Sequence, residues 1–244
     1  SYETDSSSGL TTISTYSDAQ KSQLISSDTV FRLEKSGSET KFKFDSGNKN
    51  TVDIYRNVAM YDELLKLKEE GRIKYLGFSF HGTPDILREV VKEHKWDFCQ
   101  LQINYLDWDV VKAHEQYEIV QAEGIPVTVM EPLRGGGLVN LSDKALAKLK
   151  ENYPDTTPAA FGLRWAASRQ NVVTVLSGMS NLQQVKENIA TFMNYKDMTE
   201  EEERVADEIA KIIQSQGEIN CTACKYCTEV CPRGINIPAI FSLY

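Results

Sequence analysis

Between residues 51 and 195, short apolar runs alternate with longer stretches whose apolar positions recur every three or four residues. IKYLGFSF (73–80), FCQLQINY (98–105), PVTVMEPL (126–133) and VVTVLSGM (172–179) predict four strands, and TVDIY (51–55) a fifth. AMYDELLKLKEE (59–70), DILREVVKEH (85–94), DVVKAHEQYEIVQAEG (109–124), SDKALAKLKENY (142–153) and NLQQVKENIATF (181–192) predict helices between and after them. In 85–94, Ile86, Leu87, Val90 and Val91 fall on one helical face. Gly71 is a C-terminal stop, and Thr157 an N-cap with Pro158 at the first helical position. Thr199 with Glu202 makes a capping box that starts a helix near 200–215. Apolar strands alternating with helices predict parallel strands covered by helices.

The flanks differ. Residues 1–50 are polar and rich in Ser and Thr, without a strand–helix rhythm. There TVFRLEK (29–35) and ETKFKFD (39–45) alternate apolar and polar residues around Ser36-Gly37-Ser38, the pattern of a β-hairpin. Residues 196–244 are an acidic helix followed by a cysteine segment. The chain therefore reads as three regions: 1–50, 51–195 and 196–244.

Charge removes some functions. The net charge of 244 residues is −8 and no Lys/Arg cluster stands out, against nucleic-acid binding, which needs a basic surface to displace counterions. No apolar run approaches the roughly 20 residues of a membrane span. No basic start precedes an apolar stretch, so no signal peptide is expected. The expectation is a soluble cytoplasmic protein with no membrane partner.

Four of the five cysteines lie in CTACKYCTEVCP (221–232). Cys221, Cys224, Cys227 and Cys231, followed by Pro232, give C-x2-C-x2-C-x3-C-P, the bacterial ferredoxin ligand run. Such spacing lets several thiolates converge on one small cluster. Zinc sites more often use two well-separated CxxC pairs; structural zinc and idle thiols are the alternatives. In two-cluster ferredoxins the fourth cysteine serves the other cluster, so the spacing leaves open whether one run holds a cluster alone.

Three strand ends carry polar chemistry. Gln100, Gln102 and Asn104 share one strand face. Inward amides suit a polar ring, or else satisfy each other. EPLRGGGL (131–138) leaves its strand with three glycines, which let backbone N–H groups approach a phosphate, and Arg134 adds a fixed positive charge; a plain flexible loop is the other reading. SGMSN (177–181) opens a helix whose free N–H groups suit an anion; simple capping by Ser180 or Asn181 accounts for the same residues.

GFSFHG (77–82), FCQLQINYLDW (98–108), VTVMEPLRGGGL (127–138) and LSGMSNLQQVKEN (176–188), in this order and before the cysteine run, resemble the aldo/keto reductases. The similar branch carries a C-terminal [4Fe–4S] ferredoxin-like segment, and the resemblance covers about residues 51–241. It implies a (β/α)8 barrel that binds NADP(H) at the C-terminal strand ends. It also implies reduction of a small carbonyl substrate by hydride transfer, with Tyr as proton donor assisted by Lys, His and Asp. On the resemblance, Ser79 and Gln102 hold the nicotinamide amide, and Arg134, Gly135 and Gly136 lie near the pyrophosphate. The region of Ser177 and Gly178 takes the adenosine 2′-phosphate, Gln184, Glu187 and Asn188 face the adenine, and Cys221, Cys224, Cys227 and Cys231 hold the cluster.

A closed barrel has eight strands, typically in about 250 residues. The expected fold is α/β: a partial (β/α)8 barrel, its second half, with an N-terminal hairpin region and a small ferredoxin-like segment. TVDIY resembles the family's fourth strand, D-[LI]-Y-x-x-H, but its His position falls on Val58, which exchanges no proton. Residues 1–50 do not match the first three strands; nothing places Tyr2, Tyr16 or Lys21 in a relay, so no catalytic residue is assigned. His81, at a strand's C-terminal end, is the surviving titratable candidate, and His94 and His114 are expected to be solvated. Besides a working reductase, the sequence is compatible with an inactive member that keeps nucleotide or metal binding, and with an electron-transfer module serving a redox partner. Exposed sheet edges lead us to expect a homodimer or poor solubility.

Overall fold

The computed structural model describes the strand backbones at 2–5, 10–13, 34–36 and 39–43, then residues 60–216, 221, 226–229 and 231–241. TVDIY, Val58, Tyr16, Lys21, the tip of the expected hairpin and Cys224 lie outside the described residues. The chain divides into two compact units: Ser1–Leu101 with His114–Thr128, and Gln102–Ala113 with Val129–Tyr244.

The first unit opens with β1 (Tyr2–Asp5) and β2 (Leu10–Ile13), paired antiparallel. Next come β3 (Glu34–Ser36) and β4 (Glu39–Lys43), antiparallel with Glu34 opposite Lys41 and Ser36 opposite Glu39. After α1 (Met60–Glu69), β5 (Leu76–Phe80) runs parallel to β4, with Thr40 opposite Leu76. After α2 (Pro84–Glu93), β6 (Phe98–Gln102) runs parallel to β5 with Gly77 opposite Phe98. Helix α4 (Ala113–Ala122) leads into β7 (Val127–Met130), and the Cys99 N–H bonds Pro126 O at 2.8 Å.

The reasons are local first. Gly71 ends α1 at φ +72°, a conformation other residues rarely adopt. Pro84 opens α2, where its missing N–H is harmless. All five residues of β5 are buried, as a parallel strand covered on both faces requires. Leu64, Leu67, Leu87, Val90, Val91, Phe78 and Phe98 supply the packing. Asp97 ties the start of β5, accepting from the Leu76 N–H at 2.6 Å and from Lys68.

The second unit contains α3 (Asp107–Val110), the end of β7, α5 (Asp143–Asn152), α6 (Pro158–Ala167), β8 (Val172–Val175), α7 (Leu182–Met193), α8 (Glu200–Ser215), and the short α9 (Tyr226–Glu229) and α10 (Ile237–Phe241). Ser142, Thr157, Asn181 and Thr199 each cap a helix by accepting the N–H three residues on. β8 lies beside β7, with the Leu176 N–H on Val129 O at 2.9 Å. Leu149, Phe161, Trp165, Val205 and Ile209 are buried here. Tyr105 and Trp108 meet Trp165 edge-on, and the Arg169 guanidinium covers Trp165 at 4.4 Å.

Several elements differ from the sequence reading. The helix expected over 109–124 is broken: Lys112, at φ +58°, separates α3 from α4. The strands expected over 98–105 and 126–133 stop at Gln102 and Met130. Asn104 redirects the chain after the first, and Glu131 at φ +53° ends the second.

Candidate functional site

The amides at the end of β6 have partners already. Ser79, 2 % exposed, accepts from Gln100 Nε2 at 3.3 Å within the first unit. In the second unit, Gln102 Nε2 donates to Asp107 Oδ2 at 2.7 Å. Asn104 Nδ2 donates to the same oxygen at 2.7 Å and to Glu131 O at 2.9 Å. The Asn104 Oδ1 accepts the N–H groups of Leu106 and Asp107 at 3.2 and 2.8 Å. Of the two readings of inward amides, the structure thus shows internal satisfaction for Asn104, whose side chain builds the turn into α3. The roles of Ser79 and Gln102 toward a nicotinamide amide stand on the resemblance.

Asp107 is the residue that sequence reasoning missed. Its only signal is the spacing N-Y-L-D, in which an Asn side chain caps the N–H groups two and three residues on. It is fully buried, and its Oδ1 lies 3.1 Å from Arg134 Nε, whose side chain is 9 % exposed. The N–H direction misses the oxygen and Arg134 Nη2 has no hydrogen-bond partner, so this is a charge contact more than a hydrogen bond. A fully buried carboxylate needs a counter-charge, and Arg134 supplies it; the place of Arg134 near a pyrophosphate stands on the resemblance.

Beyond β7 the backbone is tightly wound. Glu131, Arg134, Gly135 and Gly136 all have positive φ, between +50° and +93°. Left-handed non-glycine residues cost energy and cluster at functional turns. The Glu131 carboxylate accepts the Gly135 N–H at 2.5 Å, and the N–H groups of Gly136 and Gly137 bond Leu133 O and Arg134 O at 3.0 Å. The glycine N–H groups expected to face a phosphate therefore close the turn itself.

That turn, β8's exit and α7 enclose a cleft of about 700 Å³, lined among others by Gly135, Gly136, Ser177, Gly178, Gln184, Glu187 and Asn188. Seven residues read from the sequence are gathered around one space, of a volume usual for small-molecule sites. Asn188 Nδ2 donates to Ser177 Oγ at 2.9 Å. At Gly178 an added Cβ would meet nothing within 4 Å, so packing does not require glycine there.

At the start of α7 the Asn181 and Gln184 side chains cap the helix. Asn181 Oδ1 accepts the Gln184 N–H at 3.0 Å, while Gln184 Oε1 accepts the N–H groups of Ser180 and Asn181 at 2.7 and 3.3 Å. This is the capping that accounts for SGMSN in the sequence; it takes the N–H groups of Ser180, Asn181 and Gln184 and leaves those of Leu182 and Gln183 outside the box.

Among the described residues, no three His, Cys, Asp or Glu side chains gather closely enough to hold a metal ion. Cys221, Cys227 and Cys231 are among the residues this covers, and Cys224 lies outside the described residues. Ligand thiolates are drawn together by the metal they bind, so such a site rarely exists preformed. The Ile235 N–H points at Cys231 Sγ at 3.4 Å, and with the N–H groups of Arg233 and Gly234 it holds that thiol below its ordinary pKa. Cys221 lines a smaller pocket of about 130 Å³ with Arg134 and Gln216. Burial pushes the Cys99 thiol well up.

His81 follows β5 directly and is half-buried. His94, expected to be solvated, instead stacks on Tyr61 with ring centroids 3.9 Å apart and meets Trp96 edge-on. It leaves the helix at the end of α2, which turns the ring onto the aromatic cluster. His114 is half-buried in α4.

The sequence pattern of the aldo/keto reductase family matches residues 48–211. The uncharacterized oxidoreductase YqkF of Bacillus subtilis is 26 % identical over 168 residues, covering 62 % of this chain and 53 % of its own. The apo form of the aldo-keto reductase AKR11C1 from Bacillus halodurans superposes with a TM-score of 0.54 at 23 % identity, covering 69 % of this chain and 60 % of that one. Its holo form gives 0.49 at 26 % identity, covering 59 % and 52 %. The chain spans about half the length of the relatives it matches.

Proposed function

Since this chain belongs to the aldo/keto reductase family, we propose that it is an oxidoreductase that holds a nicotinamide dinucleotide, NADP(H) on the family resemblance, in the cleft between the glycine turn and α7. The observation that carries this reading is the convergence of Gly135, Gly136, Ser177, Gly178, Gln184, Glu187 and Asn188 on one cleft. Gly178 supports the fit, because it leaves open space that the protein's own packing does not use. Ser177, oriented by Asn188, offers a hydroxyl to the phosphate region, and Gln184, Glu187 and Asn188 form the wall assigned to the adenine. The strained turn at Glu131–Gly136 fixes the opposite wall. When bound, the cofactor supplies hydride for reduction of a small carbonyl substrate.

Binding without turnover is the second reading, favoured by Val58 at the position where the family motif carries His. A titration of NADPH followed by tryptophan fluorescence, paired with an assay of nicotinamide oxidation on a panel of aldehydes, separates the two. Saturable binding with carbonyl-dependent oxidation supports the reductase; binding alone supports the second reading; no binding sinks both.

The same proposal gives Cys221, Cys224, Cys227 and Cys231 a [4Fe–4S] cluster and, with it, a redox partner. Its support is the spacing and the N–H groups turned on the Cys231 sulfur, which favour a thiolate ligand. Anaerobic purification followed by iron, sulfide and zinc analysis is the test. Iron and sulfide in equal amounts support it, and stoichiometric zinc or no metal overturns it. A second copy of the chain is the remaining proposed partner. The exposed apolar residues of β8 and α7, Val173, Leu182, Ile189 and Met193, support it.

A further inference from the structure

We infer that the cleft takes NAD(H) at least as tightly as NADP(H), with Glu187 setting that preference. This rests on the dinucleotide reading above and concerns which dinucleotide. The two cofactors differ only in the ribose 2′ substituent, so the interactions of pyrophosphate, nicotinamide and adenine cancel from the comparison. A 2′-hydroxyl donates a hydrogen bond and suits a carboxylate; a 2′-phosphate brings about 1.5 to 2 negative charges at neutral pH and suits a cation.

The charges that line this cleft are carboxylates. Glu131 and Glu187 stand on its walls. Among the described lining residues there is no Lys or Arg. Arg134, whose neighbours Leu133 and Gly135 line the cleft, is drawn away to the buried Asp107. The helix N-terminus could still have favoured an anion. Part of it is used: the N–H groups of Ser180, Asn181 and Gln184 and the Ser180 hydroxyl engage the capping box, while the first-turn N–H groups of Leu182 and Gln183 lie outside it and the lining side chains add no positive charge to them. Glu187 Oε1 accepts from Gln183 at 2.8 Å, which holds the carboxylate in place and leaves its other oxygen to accept a ribose hydroxyl. A phosphate dianion brought to this wall meets like charge, with no cationic side chain among the lining residues to compensate it.

The test measures Kd for NADH and NADPH on the full chain, by fluorescence, at low and high salt. The expected result is NADH at least as tight as NADPH. The gap should narrow as salt screens the repulsion. Glu187→Gln should move the ratio toward NADPH by about 3- to 10-fold, and Glu187→Lys further. Position 187 is exposed, so neither variant threatens folding, and taking a ratio removes any loss common to both cofactors. Tenfold or tighter NADPH binding by the unsubstituted chain overturns this inference while leaving the dinucleotide reading intact. A ratio unmoved by both variants removes Glu187 from the role. Binding of neither cofactor sinks the dinucleotide reading and this inference with it.

Discussion

Asp107 shows how much one side chain organises. It binds Gln102 and Asn104 through one oxygen and holds Arg134 beside the other, all away from water. Removing one partner of a buried pair strands the other charge, which costs about 3–5 kcal/mol. Asp107→Ala should lower the unfolding free energy by about that much in urea titrations, and Arg134→Met by clearly less, because Asp107 keeps two amide donors. Equal losses would show that the ion pair, not the amide network, dominates. Cys99 gives a second prediction at this scale. Its thiol is buried and its pKa is raised by desolvation, so it should resist a thiol-specific reagent in the native protein and react only after denaturation. Neither environment is legible in the residue letters: Arg134 is chosen as a counter-ion by a carboxylate 27 positions earlier in the chain.

At the scale of elements, local chemistry was readable. The caps at Thr157 and Thr199, the stop at Gly71 and the start at Pro158 are where short-range hydrogen bonding demands them. Thr199→Ala should cost about 0.5–2 kcal/mol, read from the urea midpoint. Its box partner Glu202 also meets the Arg164 guanidinium at 2.8 and 3.2 Å. Burial alone pushes the Glu202 carboxyl up, but the hydrogen bonds from Arg164 and Thr199 outweigh it and hold the pKa below its ordinary 4.5. Near pH 4 the unfolded chain therefore binds more protons than the folded one. The contribution is present above about pH 4.5 and fades as pH falls through the lower folded value. Thermal melts from pH 6 to 3 should show Glu202→Gln losing less stability on acidification than the parent. Gly77 was not legible as a packing requirement. A Cβ there would lie 2.4 Å from Phe98 O, across the β5–β6 pair, so Gly77→Ala should destabilise by about 1–3 kcal/mol or more. Where helices and strands broke early, at Lys112 and Glu131, the cause was left-handed backbone that no propensity signals.

For the molecule as a whole, the second unit leaves apolar surface uncovered among its described residues. β8 has β7 as its one strand neighbour, Val173 is 64 % exposed, and α7 buries none of its residues. A parallel strand ordinarily has both faces covered. Light scattering should show association that grows with concentration, and Met193→Lys with Val173→Lys should reduce it; a monomer across the range would count against a second copy as partner. The sequence alone determined the order of strands and helices, most of the caps, the cysteine spacing and the family. All of these are written in short-range periodicity and in motifs a few residues long. Only the tertiary structure decided that Arg134 answers Asp107, that the N–H groups of Gln184, Gly135 and Gly136 are already bonded, and that two glutamates face the cleft. Those outcomes depend on which buried charge or donor lies nearest in space, and spatial distance is what a linear pattern does not carry.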